Sequence, residues 1–336
     1  RIGLASFNRV GRRHSRICCG AIGARNQWSE RHVITVSLIG GLGNQMFQYA
    51  AGKALAERHG VALAFDLSGF RNYALRSFLL DRLLVPEASP AMAAEATAEK
   101  PANHYARSLW KQRIDRLLGR AGLPKLAPSV ENYREPFFHY DPAFEALGPQ
   151  TSLFGYFQSE RYFAAIAEPL RDWLSPREPF GEAAASVLAR IEGSGLPVSV
   201  HVRRGDYLNP GTAEFHGILG ESYYHQALGR LEGIIGQQAE LFVFSDDPAA
   251  AEQVLNFVPK SRLVHVCGDP ERPWEDMALM ARCRHHVIAN SSFSWWGAWL
   301  NRAPDKQVIA PRAWFAPSEL SKRNTGDLYP PGWLLV

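Results

Sequence analysis

Cysteine and methionine are scarce in this chain, four of each among 336 residues. Cys18 and Cys19 are adjacent near the start, and Cys267 and Cys283 are far from them. That pattern has no zinc-site spacing and builds no disulfide framework, so a reducing cytosol suits it. No apolar run reaches the length of a membrane-spanning helix. The longest, residues 292–300, is interrupted by Ser294 and Gly297. His285 and His286 lack the spacing of a His-Glu-x-x-His zinc site. Gly-x-Ser-x-Gly and the phosphate-loop pattern Gly-x-x-x-x-Gly-Lys-Ser/Thr are missing as well. These absences remove the zinc hydrolases, the serine hydrolases and the P-loop phosphoryl transferases.

The body of the chain also lacks an excess of positive charge. Residues 1–32 hold seven arginines and one glutamate, so of the total of +4 they carry +6 and leave −2 elsewhere. The basic pI therefore belongs to the tail, and no nucleic-acid partner is expected. The tail begins with Arg1, has weak apolar periodicity and lacks the apolar centre of a secretory signal. It is expected to be disordered, with attraction to an anionic membrane surface as its one further role. What remains is ordinary globular composition, 46% hydrophobic and 21% charged, at a length that suits two domains.

The patterning alternates. A β-branched run at 33–39, a glycine-rich loop at 40–43, a helix over 46–59 stopped by Gly60 and a strand at 61–66 open the chain. Residues 86–130 read as an insertion with a helix over 102–118. A strand at 153–157 and a helix over 159–174 follow. A second half repeats the alternation. It has strands at 198–202, 241–245, 262–266, 286–289 and 308–310, and helices over 221–235, from Asp247-Pro248 onward, over 274–283 and over 293–300. Strands alternating with helices give parallel sheets. The expected fold is α/β, with two Rossmann-like domains, 33–158 and 159–336, facing a cleft.

Four segments carry chemistry. His201-Val202-Arg203-Arg204-Gly205-Asp206-Tyr207 ends an apolar strand, where open α/β sheets bind ligands. Guanidinium groups there suit a diphosphate, because they are always charged and grip phosphate oxygens bidentately. Gly40-Gly41-Leu42-Gly43-Asn44-Gln45-Met46-Phe47 joins the first strand to the first helix and lacks the third glycine of a dinucleotide fingerprint. Gly41 and Gly43 let a ligand approach the backbone, and Asn44 and Gln45 either cap the helix or touch that ligand. In Phe244-Ser245-Asp246-Asp247-Pro248 the carboxylates either hold a metal, accept from a guanine edge, or divide into a helix cap (Asp247) and a solvated group (Asp246). Asn290-Ser291-Ser292-Phe293-Ser294-Trp295-Trp296-Gly297 ends a strand and opens a helix, offering hydroxyl and N–H donors to an anion. Trp296 and Trp299 share a helical face and read as core. Glu275 and Asp276 read as a charged helix start.

These four segments, in this order, resemble the α-1,2-fucosyltransferases of glycosyltransferase family 11, across 34–314. The resemblance implies a GT-B-type architecture, GDP-β-L-fucose as donor, and the O2 of a galactose-containing oligosaccharide or lipid-linked glycan as acceptor. It implies inversion without a bound metal or other cofactor. Arg203 and Arg204 match the donor-motif arginines, and His201 and Asp206 its flanking positions. Ser291, Ser292 and Phe293 match the segment that holds the diphosphate and packs by the base. Asp246 matches a position facing guanine, and Asn44 one near the donor sugar, with Gly41, Gly43 and Gln45 beside it. Catalytic roles fall to Arg203, Asn44 and Asp206, the last as base or as orienter of an arginine. A cytoplasmic enzyme of bacterial surface polysaccharide synthesis, peripheral to the inner membrane face, is the expected setting. Two alternatives are a transferase using another nucleotide sugar, such as GDP-mannose, and a carbohydrate-binding protein with an exposed tryptophan platform.

Overall fold

The computed structural model describes residues 32–71, 76–89, 130–204 and 214–336. The basic tail up to residue 31, the 102–118 helix, and Gly205, Asp206 and Tyr207 lie outside the described residues. No helix among the described residues is long and apolar enough to cross a membrane.

Two all-parallel sheets organise the chain. In the first, β1 (Val33–Ser37), β2 (Ala62–Asp66), β3 (Glu131–Arg134) and β4 (Thr151–Phe154) lie in the order β2-β1-β4-β3. The second contains β5 (Pro197–Val202), β6 (Glu240–Ser245), β7 (Leu263–Val266), β8 (His285–Val287), β9 (Val308–Ala310) and β10 (Leu334–Leu335). Its order is β10-β9-β8-β5-β6-β7. β5 is buried along its whole length, as a strand covered on both faces must be. The strand order turns between β1 and β4 in one sheet and between β5 and β8 in the other. Such turning points open a crevice beyond the strands' C-terminal ends. The α/β class with two parallel-sheet units around a cleft, a GT-B-type arrangement, is therefore present as the sequence predicts.

Among the described residues the helices include α1 (Leu42–His59), α2 (Ala167–Trp173), α3 (Glu182–Gly193), α4 (Glu221–Ile235), α5 (Pro248–Val254), α6 (Pro273–Arg282), α7 (Ser292–Leu300) and α8 (Pro317–Leu320). α1 starts four residues before the predicted 46. Gly40 makes the turn at φ 80°, and Gly41 rather than Asn44 is the N-cap, with no capping side chain. Gly60, at φ 61°, closes the helix in the left-handed conformation as expected. The predicted 159–174 helix is broken into 3₁₀ turns at Glu160–Tyr162 and Ala164–Ile166 before α2 begins. Pro169 explains the break: it lacks an N–H and crowds the carbonyl four residues back, so it is accommodated only in a first turn. The short strands β3 and β10 and helix α3 have no counterpart in the sequence reading.

An aromatic seam between α1 and α7 joins the two units. Trp295, Trp296 and Trp299 of α7 are all buried and pack against Phe47 of α1 and Phe163. Trp295 and Trp296 lie 4.5 and 4.8 Å from Phe47, and Phe163 stacks on Trp296 at 5.4 Å. The Trp296 indole N–H donates to the Gly43 carbonyl at 2.9 Å. These tryptophans are core, as their spacing predicts, and form no exposed platform. Gly43 is the closest crossing point: a Cβ there would lie 2.6 Å from the backbone carbon of Ser292 and 2.8 Å from the Phe293 nitrogen. Backbone cannot yield as a flexible side chain does. Gly43→Ala is therefore expected to destabilise the protein by about 1–3 kcal/mol. Urea denaturation measures the loss, and an unchanged midpoint would show that the crossing is loose.

Candidate active site

A cleft of about 1420 Å³ opens between the two units. Gly40, Gly41, Gly43 and Asn44 after β1, Arg76, Arg82 and Tyr156 line it from the first unit. His201 and Arg203 at the end of β5, Asp246 after β6, Asp276 of α6, and Ser292 and Phe293 after β8 line it from the second. The N-termini of α1 and α7 abut at the Gly43–Ser292 crossing and both border the cleft. Each brings unsatisfied N–H groups and the positive end of a helix dipole. Two helix starts together with arginine side chains make a strongly anion-attracting wall.

The paired arginines divide their work. The Arg203 Nη1 contacts Asp246 Oδ2 at 2.7 Å, and its side chain borders the cleft. Arg204 does not line the cleft. It is buried, and its guanidinium donates to the Arg203 carbonyl at 3.1 Å and the Leu219 carbonyl at 2.7 Å. Successive side chains leave a strand end in opposite directions, which separates the two. The expectation that Arg204 binds the donor is corrected: it braces the strand end from behind. Asp246 accepts from the Arg204 backbone N–H at 2.8 Å as well as from Arg203. Its two oxygens thus orient the arginine strand end, while the side chain stays on the cleft wall. Asp247 accepts from the Ala250 N–H at 3.0 Å and is the N-cap of α5, as its capping alternative predicts.

Gln45 is a second correction. Its side chain is fully buried and donates to the carbonyls of Gly40 and Ser77, while its oxygen accepts from the Leu79 N–H. The amide ties the glycine loop to residues 77–79 and has no contact left for a donor. Ser291, likewise off the cleft wall, is the N-cap of α7 and accepts from Phe293 N–H at 3.3 Å. Asn44 is on the wall and accepts from Gln158 Nε2 at 2.9 Å.

His201 is buried, and its Nδ1 has no hydrogen-bond partner among the described residues. Burial first, and then the Arg203 charge, hold the imidazole well below its usual range, with Asp246 opposing. It is a neutral ring beside Phe293, 5.9 Å between centroids. Asp276, read from the sequence as part of a charged helix start, is in the first turn of α6 and also faces the cleft. Its carboxyl is pushed up to about 7 by burial and then by the charges of Glu275 and Asp269. Neighbouring Glu275 turns away, accepting from the Gly181 N–H and pairing with Arg272. Asp276, Arg76, Arg82 and Tyr156 are among the cleft residues that sequence reasoning missed as site residues. No motif spacing marks them, and only the fold brings them together. Among the described residues, no group of three His, Cys, Asp or Glu side chains is arranged to hold a metal.

The family model described as glycosyl transferase family 11 matches residues 141–336. An alpha-1,2-colitosyltransferase of Escherichia coli is 32% identical over 308 residues, covering 90% of this chain and 99% of that protein. The O-antigen biosynthesis glycosyltransferase WbnK of Escherichia coli is 32% identical over 305 residues, 85% and 96% of the two chains. Galactoside alpha-(1,2)-fucosyltransferase 1 of Plecturocebus brunneus is 30% identical over 197 residues, 54% of this chain and 53% of that one. Two parallel α/β units around an anion-attracting cleft, in such company, define a glycosyltransferase of GT-B type. The chain belongs to glycosyltransferase family 11.

Proposed function

We propose that the protein transfers L-fucose from GDP-β-L-fucose to the O2 of a galactoside, with inversion and without a bound metal, in building a bacterial surface polysaccharide. The observation that carries this reading is Arg203, fixed by Asp246 on a cleft wall that also holds two helix N-termini. As the sugar leaves, negative charge builds on the diphosphate. Preorganised guanidinium and N–H dipoles stabilise that charge at no reorganisation cost. Asp276 offers two acceptor oxygens among Phe244, Pro270 and Phe293, which suits a guanine N1–H and exocyclic amine held between apolar faces. It takes the base-reading role that the sequence suggests for Asp246. The acceptor oxygen attacks from the face opposite the diphosphate, with the first unit supplying that side. A relative named for O-antigen biosynthesis supports a glycan acceptor.

A second donor is favoured by the 32% identity to a colitosyltransferase. Colitose is fucose without the 3-hydroxyl, so the two donors differ by one hydrogen-bonding group. Incubation with GDP-fucose or GDP-colitose, N-acetyllactosamine and EDTA separates the readings. Fucosylated product in EDTA is expected. Colitosylated product alone would move the donor, and product only after added Mg²⁺ or Mn²⁺ would overturn the metal-independent route. Failure to bind GDP at all would overturn the reading as a whole.

A further inference from the structure

Tyr156 stands directly after β4, beside the glycine loop that follows β1, and lines the cleft with 44% of its surface exposed. Residues 155–158 around it are tied down by hydrogen bonds from three directions. Gln48 Nε2 donates to the Gly155 carbonyl at 3.1 Å. The N–H groups of Tyr156 and Phe157 donate to the Glu135 carboxylate at 2.7 and 3.1 Å. Gln158 reaches Asn44 at 2.9 Å. Phe157 is the one non-glycine residue with positive φ among the described residues, at 53°. A left-handed backbone at an aromatic residue is unfavourable and persists only where its surroundings over-determine it. Here the fully buried Phe157 ring, edge-on to Tyr162 at 5.3 Å and stacked near Tyr133 at 6.4 Å, supplies the anchor. Gly155 is required too, since a Cβ there would lie 2.4 Å from the Glu135 Cβ. This braced turn carries Tyr156 at the cleft wall, on the first unit.

The geometry points to Tyr156 as the platform on which the acceptor galactoside stacks, with Glu135 as the positioning residue that fixes it. The apolar face of galactose, formed by its C–H groups on one side, packs on an aromatic ring, and a rigid ring loses little entropy in doing so. The turn's link to Asn44 sets that platform next to the glycine loop, which the family resemblance puts near the donor sugar. The inference rests on that reading. It adds the residue that selects the acceptor.

Acceptor kinetics on the full chain test it, with GDP-fucose saturating and lactose, N-acetyllactosamine and phenyl β-galactoside as acceptors. GDP affinity is measured separately by calorimetry. Tyr156→Ala is expected to raise the acceptor KM about 10-fold or more, with GDP affinity unmoved and kcat changed much less than KM. Tyr156→Phe, which keeps the ring, rescues most of that loss. Glu135→Gln, which replaces one accepting oxygen by an NH₂ group, raises KM in the same direction without the ring being touched. An acceptor KM within twofold of the parent in Tyr156→Ala overturns the platform. So does a loss in Tyr156→Phe as large as in Tyr156→Ala. An unchanged KM in Glu135→Gln overturns the positioning role. A parent protein that binds GDP yet transfers to no galactoside sinks the inference with the donor reading intact. No GDP binding sinks the proposed function itself.

Discussion

Arg203→Ala is expected to lower kcat for sugar transfer by about 10²–10³-fold, the usual cost of removing one preorganised group that meets developing charge. GDP affinity falls far less. The ground-state diphosphate is already fully ionised and is shared with the helix N-termini and other basic groups of the wall, whereas the charge released as the glycosidic bond breaks appears next to Arg203. Arg203→Lys restores the charge but not the planar fork, and is expected to recover only part of the rate. The companion variant Arg204→Ala makes the contrast. It removes two charge-assisted hydrogen bonds from a buried group, to Arg203 and Leu219 carbonyls, and is expected to cost about 2–4 kcal/mol of stability. Steady-state kinetics and chemical denaturation on both variants check the division. Equal losses of kcat with equal stabilities would mean that both side chains face the donor.

Asp276→Asn has two effects of opposite sign. The folded carboxyl titrates near 7 against an ordinary 3.8, so ionising it costs the fold free energy. Below about pH 4 the group is protonated folded and unfolded, and no penalty exists. The penalty grows as pH rises and is complete above about 7. Asparagine has nothing to ionise. The variant is therefore expected to be more stable than the parent at pH 8, by on the order of 2 kcal/mol after solvent screening, and equal to it at pH 4. GDP binding moves the other way. An amide presents one acceptor and one donor to two guanine donors, and affinity is expected to fall about 10–100-fold. In the parent, GDP affinity rises with pH through 7 as the carboxylate forms, and the variant flattens that rise. Melting curves at the two pH values, with calorimetric titration of GDP, check both halves. A variant that is stabilised but binds GDP normally would remove Asp276 from base recognition.

The fold was legible because its signals are local and repeated. β-branched runs, Gly60 after a helix and Pro248 within the first turn of another each dictate an element without help from distant residues. The tryptophans of α7 were legible for a related reason, since a three-residue spacing puts Trp296 and Trp299 on one face. The 159–174 segment misled because its composition is helical while Pro169 forbids a continuous helix through it. At the site, residue type was readable and direction was not. Arg203 and Arg204 are chemically identical neighbours, and only the strand's orientation in the sheet sends one to the cleft and the other behind it. Gln45 reads as a ligand group or a cap, yet its partners, Ser77 and Leu79, become neighbours only after folding. Asp276 is an ordinary acidic residue of a helix start until the approach of Glu275, Asp269 and Gly268 gives it an unusual environment.

The seam of Phe47, Phe163, Trp295, Trp296 and Trp299 bears on how this enzyme can move. Two-domain transferases can close on a donor by swinging one domain against the other about a thin linker. Here the would-be hinge is filled with stacked rings and a glycine-tight helix crossing, so a large swing would have to open a hydrophobic core to water.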